Sequence, residues 1–375
     1  MVDRVDVVRS DVTSETLRRW GDLAIERGNV FASPEWYFTW LRSRPRERPF
    51  ILVARDAEGR VIGVLPLIQS RFGPARLLRF AGGKLGDRFD LLCAPQDEGA
   101  VAAACALALA AHHRSWHALH LEGVDQDARW VGDLIGEWTS PGVRAEEWGR
   151  IDALPYISLS EADFEGYLKT RPSKVRSDVR RSVRRLDAHG ARFRQITEPA
   201  DLGQEMGRFF DLHDARWEAS GGSAALDGEA RRFHDRFAHL ALRRGWLRLW
   251  FLDLEDRPVA GWYGYSIGGR YCFYLPGFDP AHGHLGVGTR LMIHTIEHAV
   301  AEGASTYDFL SGDEDYKKRF ETGRLFTHSL LITRRRHGAQ PVAATLAASI
   351  RAARRLPASV RARGRTALGV VRSSA

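Results

Sequence analysis

The sequence predicts a mixed α+β fold made of two similar domains, each a mixed twisted sheet flanked by helices. Three observations predict it. The same order of elements occurs in both halves: a helix, then strand–turn–strand, then a later helix before another strand. The 375 residues exceed one small domain and suit two of ordinary size. The 44% hydrophobic and 27% charged residues are the proportions of a globular chain with a substantial core.

In the first half, residues 31–40 open a helix, with Ser33 as N-cap and Pro34 at the first helical position. Residues 50–68 read as two strands around a turn at Glu58 and Gly59. Short strands follow at 77–81 and 88–92, a helix at 100–112 and a strand at 116–121. The second half has helices at 176–189, 206–219 and 231–243, a hairpin over 247–266 and a strand at 270–275. A helix at 287–301 and a strand at 306–310 complete it. The expected domains are 1–155 and 156–335, followed by a basic segment at 336–375.

The net charge of +8 belongs to that last segment. No acid follows Glu321, and residues 322–375 hold eleven arginines, which leaves the rest of the chain at −3. The basic balance is therefore weak support for nucleic-acid binding by the body. Val342, Leu346 and Ile350 recur every four residues beside Arg351, Arg354 and Arg355. This predicts a basic amphipathic helix and a loose tail, either docked on the protein or touching an anionic membrane surface. Cys93, Cys105 and Cys272 are scattered, with no C-x-x-C, which argues against a disulfide framework or a zinc ribbon. The acidic N-terminus lacks the pattern of a signal peptide. The expected setting is cytoplasmic, with peripheral contact at the inner face of the membrane open to the tail.

Gly283-His-Leu-Gly286-Val-Gly288 is a glycine turn opening a helix. It is a poor dinucleotide fingerprint. Five residues, 276–280, separate it from the preceding strand, and it comes too late for a second mononucleotide half. Pro276-Gly277, at the end of a Tyr/Phe-rich strand, predicts a bulge or a splayed end. A splayed strand before a helix N-terminus suits an extended acyl-pantetheine, with its pyrophosphate on the helix amides. His294-Thr-Ile-Glu297-His298 matches the inverted zincin motif but lacks a third ligand in the right context, so no metal is expected.

Several motifs occur in order. The first half has Phe31-x-x-Pro34-Glu35-Trp36-x-x-x-Trp40 and Gly63-Val-Leu-Pro66-Leu67. Next come Arg176-x-x-x-Arg180-x-x-x-Arg184-Arg185-Leu186 and Leu212-His213-x-x-Arg216-Trp217. Tyr274-x-x-Gly277-Phe278-Asp279-Pro280, Gly286-x-Gly288, Asp308-Phe309-x-x-Gly312 and Tyr316-Lys317-x-x-Phe320 close the set. Over residues 28–330 the chain resembles the GNAT acyltransferases, in particular the CelD-type branch related to the FemAB transferases.

The resemblance implies tandem GNAT-like domains and an N- or O-acyltransferase. The donor would be acetyl-CoA or another acyl-CoA, and the acceptor an amine or hydroxyl of a small molecule or saccharide. The implied donor-binding residues are Leu275, Gly277, Phe278, Gly286, Val287, Gly288 and Thr289. Asp308 is implied as base or substrate-orienting carboxylate, and Tyr316 as the acid for the departing thiolate. Arg176, Arg180, His213, Arg216, Trp217, Tyr274 and Lys317 are the substrate-binding candidates. Each has a plain structural alternative: a turn acid for Asp308, helix packing for Tyr316, core filling for Trp217, solvated faces for the cations. One departure stands out. The family's phosphate turn begins with Arg or Gln, and this chain has Gly283. FemAB-like members use aminoacyl-tRNA on cell-envelope precursors, which is the alternative implied.

Overall fold

The computed structural model describes residues 1–72, 75–138, 143–159, 163–218 and 226–334. The basic segment expected at 336–375 lies outside the described residues. The chain divides into two compact units. Among the described residues, unit 1 comprises Met1–Arg27, Phe31–Ile151 and residues 326–334; unit 2 comprises Gly28–Val30 and Asp152–Leu325.

Unit 1 contains β1 (Arg4–Val8), α1 (Ser14–Glu26), α2 (Pro34–Ser43), β2 (Arg48–Arg55), β3 (Val61–Phe72) and β4 (Ala75–Phe80). It continues with β5 (Leu92–Cys93), α3 (Glu98–Ala111), β6 (Ala118–Asp125) and α4 (Arg129–Gly136). Ser33 caps α2 as expected, its Oγ accepting the Trp36 N–H at 3.2 Å, with Pro34 at the first helical position. The sheet runs β1-β2-β3-β4-β6 and then β13 (Gly323–Arg334). Its pairs are antiparallel except β4/β6, which run parallel from Leu77 opposite Ala118 to Arg79 opposite His120. The strand expected at 88–92 shrinks to β5. Residue Phe89 instead donates its N–H to Gly123 of β6 at 2.8 Å and stacks its ring on Phe80 at 5.2 Å.

Strand β7 (Val143–Ser158) enters unit 2 at Asp152. Unit 2 then has α5 (Phe164–Lys169), α6 (Ser173–Ala188), β8 (Arg192–Gln195), α7 (Leu202–Glu218) and α8 (Gly228–Arg243). Strands β9 (Leu247–Leu254), β10 (Arg257–Ile267) and β11 (Arg270–Phe278) lead through a 3-10 turn, Pro280–Leu285, into α9 (Val287–Ala301). Strand β12 (Thr306–Asp308) and the short helix α10 (Asp315–Lys318) follow. The sheet order is β7-β12-β11-β10-β9-β8, antiparallel except for the β11/β12 pair.

Alternation along the strands divides the side chains of unit 2 between two helical layers. On one face Trp250, Trp262, Tyr271, Phe273 and Tyr307 join residues of α5, α6 and α9 in a single apolar core. On the other, Tyr263, Tyr265 and Tyr274 meet His234 and Phe237 of α8. Helix α7 crosses β10 and β11 where Gly261 pairs with Gly277. A Cβ on Gly261 would lie 2.9 Å from Phe209, and one on Gly277 2.6 Å from the His213 backbone nitrogen. The two glycines thus make the groove that lets the helix lie close to the sheet. The mixed α+β class expected from the sequence is the one observed. Among the described residues no helix is long and apolar enough to cross a membrane.

Candidate functional site

Strand β11 has neighbours of unequal length. It pairs with β10 from Arg270 to Phe278, but with β12 only from Arg270 to Cys272. Beyond that point the two parallel strands part, leaving a fork along Phe273–Phe278. The expected irregularity exists at a different residue. The register steps from Leu275 opposite Tyr263 to Phe273 opposite Gly264, so Tyr274 is the bulged residue and the strand continues through Pro276. Gly264 is the sequence signal for this bulge. Any Cβ there would fall 2.1 Å from the Cys272 carbonyl oxygen.

The glycine turn follows directly. Asp279 starts it by accepting the Ala281 N–H at 2.9 Å. Gly286 sits in the left-handed region at φ +74°, where glycine is the unstrained residue, and α9 begins at the next position. The first turn of α9 carries no acid, so its unpaired N–H groups and positive dipole end suit an anion. Val287 is buried in the core, while Thr289 is exposed. The Phe278 ring underlies the turn, 3.3 Å from a Cβ built on Gly288 and 3.7 Å from one on Gly283. A cation missed by sequence reasoning is here too. Arg185 of α6 reaches the His284 carbonyl at 3.5 Å and lies 3.4 Å from a Cβ built on Gly286. Its signal was the close run of arginines ending α6.

The other candidates divide. His213 of α7 donates Nδ1–H to the Pro276 carbonyl at 2.9 Å, which leaves the lone pair on Nε2. Burial pushes its pKa down, so it is held neutral. One turn on, the Arg216 guanidinium lies over the rings of Trp217 at 5.2 Å and Phe278 at 5.4 Å. Arg216 also neighbours Tyr316, whose ring meets Phe273 at 6.3 Å. Burial pushes the Tyr316 phenol up, so it keeps its proton at neutral pH. The structure therefore gathers His213, Arg216, Trp217, Tyr274, Leu275, Phe278 and Tyr316 around the open end of β11.

Asp308, Lys317, Arg176 and Arg180 are placed differently. Asp308 is 1% exposed; its Oδ2 accepts from Arg270 at 2.8 Å and its Oδ1 from the Leu310 N–H at 2.8 Å. Leu310 is a non-glycine residue at φ +54°, so this carboxylate steadies a strained turn beside the fork. The Lys317 ammonium is 4% exposed and is taken up by the Ser311 carbonyl and Glu314, each at 2.9 Å. Arg176 donates to the Arg171 carbonyl at 2.7 Å, and Arg180 pairs with Glu165 at 3.1 Å. Both arginines lie on α6, in the layer opposite α7. The histidines of the zincin-like motif are packing residues: His294 stacks on Phe193 at 3.9 Å and His298 packs edge-on to Trp250 at 4.6 Å.

A strand end that splays from its neighbour before a glycine turn and a helix N-terminus is one of the two outcomes expected from Pro276-Gly277. Residues 173–318 match the family described as an acetyltransferase (GNAT) domain. The match lies within unit 2. The matched span holds the fork, the glycine turn and Tyr316. Among solved structures, FemX superposes with a TM-score of 0.62 at 12% identity, covering 85% of this chain and 96% of FemX. L-PGS from Bacillus licheniformis gives 0.54 at 13% identity, covering 91% and 98%. A conserved protein of unknown function from Bacteroides thetaiotaomicron gives 0.56 at 12% identity, covering 88% and 100%. At these identities the likeness is one of fold. No curated protein matches the sequence.

Proposed function

We propose that the protein is an N- or O-acyltransferase that moves an acyl group, acetyl in the simplest case, from acyl-CoA to an amine or hydroxyl of a polar acceptor. The observation that carries this reading is the fork between β11 and β12, aimed at an acid-free helix N-terminus. The pantetheine lies along the open edge of β11, and the pyrophosphate takes the amides of residues 286–289 beside Arg185. The acceptor attacks the thioester carbonyl from the α7–α8 side; a C–N or C–O bond forms, the C–S bond breaks, and the proton of the attacking N–H or O–H passes to solvent, from which Tyr316 recovers its own after each transfer. The protonated Tyr316 gives its proton to the leaving thiolate. Asp308, with both oxygens engaged, orients the chain after β12. The CelD-type branch is the narrower placement we favour, from the ordered motifs of the sequence.

A second reading has one observation in its favour. Gly283 stands where an Arg or Gln would contact pyrophosphate, which weakens the case for coenzyme A and keeps open a FemAB-like, aminoacyl-tRNA-dependent transfer. A thiol-release assay separates the two. Acetyl-CoA is offered with a panel of amino sugars, polyols and amino acids, and charged tRNA is offered in parallel. Acceptor-dependent release of CoA supports the first reading. Transfer from charged tRNA with no CoA release from any acyl-CoA replaces it with the second.

A further inference from the structure

Arg216 is a sheltered cation without a counter-ion. Other half-buried arginines of unit 2 are paired: Arg194 with Asp253 at 2.8 Å, Arg248 with Glu302 at 2.6 Å and Arg270 with Asp308 at 2.8 Å. Arg216 is half-buried too, yet among the described residues no carboxylate pairs with it. On its own helix, Asp214 is taken by Arg231 and Glu218 is exposed to solvent.

What holds Arg216 is aromatic. Its guanidinium lies over Trp217 at 5.2 Å and Phe278 at 5.4 Å. Ring faces offset part of its charge but accept none of the N–H bonds along the guanidinium edge. The neighbouring Tyr316 phenol offers a single oxygen. Trp217 adds to the excess of donors, because its indole N–H is buried with no acceptor among the described residues. Arginine and tryptophan donate and cannot accept. A ligand that completes this spot must therefore supply acceptors and negative charge.

A Cβ on Gly277 would meet the His213 backbone, so position 277 faces α7 and the next side chain, Phe278, faces the opposite layer. Phe278 and Tyr316 both pack against the core shared by α5, α6 and α9. Arg216 comes from α7 and reaches both, so it passes the edge of β11 that β12 leaves unpaired after Cys272.

Resting on the acyl-CoA reading above, we propose that Arg216 binds a carboxylate of the acceptor, and that the protein acylates a small amino or hydroxy acid. In that reading Tyr316 stands at the leaving sulfur. An anion on the neighbouring Arg216 then lies within a few bonds of the attacking nitrogen or oxygen, which makes the acceptor compact. A guanidinium whose faces are covered by rings presents its edge, and that edge matches the two coplanar oxygens of a carboxylate in a paired contact. The carboxylate takes no part in bond making; attack, loss of the C–S bond and proton flow are those given above.

The test has two arms on the full chain. The first needs no donor. Melting temperature is followed with glycine, β-alanine and γ-aminobutyrate, the matching hydroxy acids, the primary amide of each, and phosphoethanolamine. At least one acid is expected to raise it where its amide does not. The rise is expected to vanish in Arg216→Gln and to persist in part in Arg216→Lys. No acid-specific rise, an equal rise in Arg216→Gln, or a rise with phosphoethanolamine alone overturns the carboxylate assignment. The second arm follows CoA release from acetyl-CoA with the same pairs. The ratio of kcat/KM for acid over amide is expected to be about tenfold or more in the wild type and near one in Arg216→Gln, whatever the absolute rates. Equal wild-type rates with acid and amide, or a loss in Arg216→Gln confined to KM for acetyl-CoA, overturns the acceptor role. If acids bind in the first arm and the wild type does not bind acetyl-CoA, the acyl-CoA reading fails and the anion site stands. If acetyl-CoA binds and no acid does, the anion site alone fails.

Discussion

The two units solve the same topological problem with opposite results. Each has one parallel pair in a mostly antiparallel sheet, β4/β6 in unit 1 and β11/β12 in unit 2, and each crosses between them through a helix. In unit 1 the space beside the parallel pair is filled. Phe89 bonds to β6 and stacks on β4. Its crossover helix α3 starts with Asp97 and Glu98, and Glu98 is already engaged by the Trp130 N–H at 3.1 Å. In unit 2 the strands fork and α9 starts with glycines and no acid. An anion is repelled by the first helix terminus and drawn to the second. Under the proposed reading, the difference favours the second terminus for the donor where topology alone would allow two.

The largest expected effect comes from emptying the plug of unit 1. Phe89→Ala removes a ring 4% exposed and should cost about 3 kcal/mol in denaturant unfolding, while acyl-CoA stoichiometry stays at one per chain. Gain of a second site would break the comparison. In unit 2, Gly277→Ala forces a Cβ against the His213 backbone nitrogen and should cost about 2 kcal/mol, read as a lower melting temperature. Unchanged stability would mean that α7 does not lie in the glycine groove.

Acid should act on unit 2 through His234. Its native pKa of about 3 lies below the unfolded value of 6.5. The unfolded chain therefore takes up the proton first, and stability falls as pH drops below the unfolded value. The loss by about pH 5 is roughly 2 kcal/mol from this group. His294, held at about 4 by burial and by Arg290, acts with the same sign. Denaturation midpoints across this range should slope less steeply in His234→Asn; an identical slope would contradict the buried neutral assignment. The smallest effect is the sharpest in sign. Thr289→Glu gives α9 the kind of acid that α3 carries. It should raise stability by a few tenths of a kcal/mol and weaken acyl-CoA binding about tenfold. Weaker binding with lost stability would point to misfolding instead.

Much of this was legible in the sequence. The Ser33-Pro34 helix start, both hairpins and the glycine turn before α9 were readable because capping and turn chemistry are local. At Pro276-Gly277 the structure shows the splayed end of the two outcomes expected; the bulge at Tyr274 was not readable because its cause, the close approach at Gly264, is a cross-strand contact. Strand 88–92 failed for a similar reason: Phe89 follows a tertiary opportunity, the Gly123 carbonyl of β6 and the Phe80 ring, against its own propensity. Candidates that helix spacing groups, His213, Arg216 and Trp217, do lie together on α7. Arg185 was missed because it reaches the glycine turn only through packing between distant elements. Lys317 looked like a surface cation, and only the fold shows its ammonium clipped to Ser311 and Glu314.

The most direct test of the central claim is isothermal titration of the wild-type protein with acetyl-CoA and with CoA. The account predicts saturable binding of both at one site per chain. No heat with either ligand, under conditions where the protein is folded, would contradict it.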